Sequence, residues 1–210
     1  MKIQAQRTNK RRGVAIVEFS LSMVFLIPLL LGVLIFGFRL IRSLEMMQIT
    51  RDLGHMYIRG INFRNPGPIQ NAKTLASGYD LSATGSSVVI LSKIKVIQQV
   101  DCDAANSFPP PLPPGNACVN LNKPVFVEQL TIGNTGSGSS VFGTPPLQSD
   151  GTVTVYDQGR NAAAVASGFG AAIVLKSGEF AYVSEMVNLT PDLNIPGFSG
   201  RPQVYARAIF

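Results

Sequence analysis

This 210-residue chain is poor in the residues that do chemistry: it has one histidine, two cysteines and only 14% charged side chains. Two thiols and one distant imidazole do not make a zinc ligand set. His55 falls on a predicted helix beside Arg51, Tyr57 and Arg59, with no serine or cysteine at nucleophile–base spacing, so it reads as a solvated or membrane-facing helix histidine. There is no P-loop and no paired-carboxylate motif. Gly168-Phe-Gly170-Ala-Ala-Ile173 begins like a dinucleotide loop, but isoleucine stands where the third glycine belongs and no strong strand precedes it. The chain therefore reads as a non-enzyme, with no catalytic residue, cofactor or metal expected.

Charge is missing from two further places. The first 12 residues carry Lys2, Arg7, Lys10, Arg11 and Arg12 and no acid, and the 20 residues from Phe19 to Phe38 contain no ionisable side chain. As a helix rising about 1.5 Å per residue, that run spans roughly 30 Å, the hydrocarbon thickness of a bilayer. A secretory signal has a shorter apolar core and a small-residue cleavage site behind it, whereas here Arg39-Leu-Ile-Arg42-Ser-Leu-Glu45 follows. The segment is expected to stay as a single-pass anchor. The basic leader keeps the N-terminus in the cytoplasm and sends the rest across. Nucleic acid is not an expected partner: taking the leader's five basic side chains from the chain's 18 leaves 13 against 12 acidic ones, too even and too scattered for a basic patch.

Glu18 sits just inside the apolar segment, where a carboxylate costs about 2.5–3.5 kcal/mol at the bilayer centre and less near an interface. Two readings follow. It snorkels to the headgroups, or, if the chain is cut after Gly13, it pairs with the new α-amine of Val14 four residues back, on its own or a neighbouring helix.

The order Gly13, Val14-Ala-Ile-Val, Glu18-Phe19 resembles the prepilin-peptidase site of Flp/Tad pilins, and Arg12-Gly-Val-Ala-Ile-Val-Glu-Phe-Ser-Leu is similar to the TadE-like minor pilins, over roughly residues 11 to 60. The resemblance implies a prepilin-like pseudopilin that assists assembly or priming of a pilus. It implies cleavage between Gly13 and Val14 by an inner-membrane prepilin peptidase, with Glu18 and Phe19 as the assembly positions +5 and +6. Its partners would be that peptidase, other pilus or secretion-machine subunits and the inner membrane. The C-terminal part would be periplasmic or extracellular, or carried in the pilus. The alternative is an uncleaved, membrane-anchored periplasmic binding module whose Pro-rich loop grips a peptide or polysaccharide.

The expected fold is α+β and pilin-like: a leader over 1–13, one transmembrane and amphipathic helix over 14–59, and an exported domain over 60–210 with a small antiparallel sheet. Leu40, Ile41, Leu44, Met47, Ile49, Leu53 and Tyr57 mark an imperfect apolar face. Pro28 should bend the helix, and Gly60 followed by Asn65-Pro66-Gly67-Pro68 should end it. Alternation predicts a half-buried strand over 87–100, with Val88, Ile90, Ile94, Val96 and Val100 opposite Lys93, Lys95 and Gln99. Residues 125–132, 179–189 and 204–210 read similarly, and 152–156 more weakly. The Gly/Ser/Thr-rich segment 134–150 reads as a mobile surface loop or a binding edge. Cys102 and Cys118 flank a segment with five prolines, which a disulfide would staple at its base. Two separate buried thiols are the other reading.

Overall fold

The computed structural model describes residues 5–106, 118–190 and 203–210. It divides into two compact units, Met1–Arg42 and Ser43–Phe210. A single helix, α1, covers Ala5–Ile58 and includes Pro28. From Val14 to Ile58 it is long and apolar enough to cross a membrane, by length and composition. Within the first unit most of its large apolar side chains, from Val14 through Phe25 to Phe38, are exposed, with Met23 and Ile35 partly covered.

The second unit is an α+β fold. Its helical part of α1 buries Met46, Thr50, Leu53 and Tyr57, a spacing of three to four residues that keeps one stripe on the core. The Thr50 hydroxyl is satisfied by donating to the Met46 carbonyl at 2.6 Å. The stripe differs from the expected one: Leu44 and Met47 are exposed, and Met46 takes the core position. A Schellman motif closes α1, with Ile61 N–H donating to the Met56 carbonyl and Gly60 N–H to that of Tyr57. Gly60 adopts φ +80°, which glycine enters without a Cβ clash.

Asn65-Pro66-Gly67-Pro68 does not merely follow that end; it opens a second helix, α2 (Pro66–Leu75). Proline is suited to the first helical turn because its missing N–H has no intrahelical partner there. Ile69 and Ala72 of α2, with Ala76 beyond it, join the stripe of α1.

The sheet has four antiparallel strands in the order β2-β1-β3-β4, with β1 at Ser87–Val96, β2 at Pro124–Gly133, β3 at Phe180–Leu189 and β4 at Gln203–Ile209. Val89, Leu91, Ile132, Met186 and Ala206 face α1 and α2. On the other face, Ile94, Phe126, Ala181 and Val183 pack against Phe142, Val153, Ala164 and Phe169 from the long connection between β2 and β3. β1 is thus buried on both faces rather than half-buried.

The expected strand over 87–100 stops at Val96. Gln99–Asn106 forms a helix, α3, because Asp101 accepts from Gln98 N–H at 2.9 Å and from Lys95 Nζ at 2.6 Å, anchoring a helical first turn. Val100 therefore leaves the sheet. Residues 152–156 do not form a strand either: a lone bridge joins Thr152 to Glu128, and Thr154 then caps α4 (Val155–Arg160), its hydroxyl accepting from Asp157 N–H. The 134–150 segment is not wholly a surface loop, since Ser137, Ser140 and Phe142 are buried. Cys102 on α3 and Cys118 form a disulfide with Cα atoms 5.5 Å apart. A loop of this size is worth about 3 kcal/mol in the chain-entropy account. The Pro-rich stretch that it brackets lies outside the described residues.

Candidate functional site

Val14, Glu18 and Phe19 lie on α1, and all three are solvent-exposed, Val14 at 59% and Phe19 at 62%. Val14 and Glu18 are one helical turn apart, on one face. In the uncut chain the Val14 nitrogen is a peptide N–H, so the amine that Glu18 is expected to meet does not exist until Gly13 is cleaved from it. The Glu18 carbonyl accepts a bond from the Ser22 hydroxyl at 2.9 Å. The positions expected to serve in processing and assembly thus lie at the start of a helix face with no covering layer in its own unit.

His55 is exposed, its ring is tilted against that of Phe210 at 4.7 Å, and it shares a shallow surface pocket with Asp52 and Arg59. Among the described residues no three His, Cys, Asp or Glu side chains gather as a metal site. Gly168 opens only a four-residue helical turn, α5 (Phe169–Ala172), whose Phe169 ring packs edge-on against Phe142.

Two features of the second unit were not read from the sequence. The first is a buried carboxylate. Glu185, in the middle of β3, is fully buried, and its Oε1 accepts from Val141 N–H at 3.1 Å and from the Tyr205 hydroxyl at 2.7 Å. Its Oε2 has no hydrogen-bond partner among the described residues. Burial, then the hydrogen bond to Glu185 and its charge, raise the Tyr205 phenol above its ordinary pKa against the opposing Arg207. Tyr205 therefore stays a donor. Glu185 ties the 134–150 segment to β3 and β4. Its one sequence signal is a lone acid between apolar neighbours in Val183-Ser-Glu185-Met-Val187. Glu185→Ala should lower unfolding free energy by about 3 kcal/mol, since it removes the acceptor of two part-buried donors and opens a cavity in the core. Glu185→Gln, which keeps an acceptor, should lose less. Urea unfolding of both variants checks this, and equal stability of Ala and wild type would remove the tie.

The second feature is a groove of about 220 Å³ among Tyr57, Phe63, Arg64, Lys93, Glu128 and Tyr182. Glu128 accepts from Arg64 Nη2 at 2.6 Å on one oxygen and from Tyr57 Oη at 3.1 Å on the other. Arg64 Nε also donates to the Asp150 carbonyl at 2.6 Å. The Asp150 carboxyl turns instead to Thr152, whose hydrogen bonds hold it below the usual carboxylate range.

Comparison with known protein families, curated proteins and solved structures finds no match to this chain.

Proposed function

We propose that this chain is a prepilin-like minor subunit of a Tad/Flp-type pilus or secretion machine, cut after Gly13 and retained in the inner membrane by α1. The observation that carries the reading is the spacing of Gly13, Glu18 and Phe19 at the head of an exposed apolar helix. Further along the same helix, Met46, Leu53 and Tyr57 are built into the core of an α+β unit. This division suits an assembly subunit: one stretch of the helix is left for lipid or for neighbouring helices, and the other fixes the exported unit to it. The five basic leader residues support a cytoplasmic N-terminus, and the disulfide suits an oxidising compartment on the far side. Work is done by helix association, with the peptidase and other machine subunits as partners.

Mass spectrometry of protein taken from its native membrane tests the reading. Val14 is expected as the first residue. An intact Met1 leader in cells with an active prepilin peptidase would overturn it and leave the uncleaved binding module.

A further inference from the structure

The groove beside the end of α1 contains a cation, Lys93, with no ion-pair partner among the described residues. Lys93 and Glu128 are direct cross-strand neighbours of β1 and β2. Yet both Glu128 oxygens are engaged by Tyr57 and Arg64. Among the described residues the Lys93 ammonium makes neither an ion pair nor a hydrogen bond. It lies instead over the Phe180 ring, 4.4 Å from its centroid, and 5.5 Å from that of Tyr182. Neighbouring Lys95 is placed differently, with its own acid, Asp101, at 2.6 Å.

Ring faces attract an ammonium but offer it no acceptor lone pair, so its hydrogen-bonding capacity is left for a ligand. The groove's ionised lining, Lys93, Arg64 and Glu128, carries one net positive charge. The rest of its lining mixes the rings of Tyr57, Phe63 and Tyr182 and the Leu130 side chain with the polar Asn62. At about 220 Å³ it is smaller than the roughly 300–1,000 Å³ typical of sites for free small molecules. A single amino-acid side chain fits that space, and it would be held by the rest of the chain to which it belongs. A carboxylate on a short stem matches the net positive charge, and its methylenes match the rings in the lining.

We propose that this groove receives the side-chain carboxylate of a glutamate or aspartate presented by a partner polypeptide, with Lys93 as its counter-ion and the tyrosine and phenylalanine rings around its stem. The inference does not depend on whether the leader is cut. The full chain in phosphatidylcholine nanodiscs is titrated with fluorescein-labelled Gly-Gly-Glu-Gly-Gly amide and its Gln counterpart, read by anisotropy. The Glu peptide should bind at least tenfold tighter than the Gln peptide. Lys93→Gln should erase that preference without moving the thermal unfolding midpoint, and Lys93→Arg should keep most of it. Because the basic leader is identical in every variant, its attraction for acidic probes cancels. An unchanged preference in Lys93→Gln, or no preference in the wild type, would overturn the assignment. So would free glutarate competing as well as the peptide, which would make the groove a small-carboxylate site.

Discussion

Gly13→Val is expected to leave the 13-residue leader on every molecule. A peptidase acting at this bond must bring its catalytic groups against the carbonyl of residue 13, where glycine presents only hydrogen. Valine places two methyl groups on the Cβ and holds χ1 stiffly, so the extended approach that cleavage needs is obstructed on both sides. Insertion should be unaffected, because the uncharged run from Phe19 to Phe38 and the five basic residues expected to orient it are unchanged. Intact-mass measurement of membrane fractions, with and without the peptidase, should show one uncut species in the variant and cut protein in the wild type. Normal cleavage of the valine variant would mean that Gly13 does not define the site. A leader left in place would also deny Glu18 a free α-amine at Val14, so loss of cutting and loss of assembly should appear together.

The strands that were legible share one property: their alternation is bounded by residues that stop it. β2, β3 and β4 fall within one or two residues of the expected spans. β1 was overextended because Val96 and Val100 keep an apolar rhythm through a change of element, and Asp101, the residue that anchors α3, looks like any polar residue in a strand. Burial of β1 on both faces could not be read from its lysines. Val89 and Leu91 lie on the same face as Lys93, and only the placement of α1 and α2 decides that this face is core. Helix α2 was hidden by its prolines, which end a helix from one side and begin one from the other. The pattern around Gly13 and Glu18 was legible because all of it lies within one short segment. The groove was not, since Tyr57, Arg64, Lys93, Glu128 and Tyr182 are brought together by sheet register and by the chain reversal after α1. Glu185 was missed for the same reason, its partners coming from a loop and an edge strand.

Glu18→Gln should leave the helix inserted and the leader cut, yet strongly reduce recovery of the subunit with its assembly partners. After cleavage, Val14 begins the mature chain with a free amine, and Glu18 lies one turn along on the same face. Both groups are exposed on a helix whose surroundings are apolar side chains, so in lipid or in a helix bundle each loses water. An amine and a carboxylate that meet there offset part of each other's desolvation, and removing the carboxylate leaves a buried cation without its counter-ion, the costlier arrangement. If the amine belongs to a neighbouring chain, the pair also fixes the register between helices, so the loss appears in association rather than in folding. Glu18→Asp retains the charge with one methylene less reach and should fall between the two. Snorkelling predicts the opposite order, because glutamine removes a charge from an apolar segment and should insert at least as well. Crosslinking in the native membrane separates the two: wild-type association in the Gln variant would leave Glu18 without a role in assembly, while loss in Gln with partial recovery in Asp requires a charge partner.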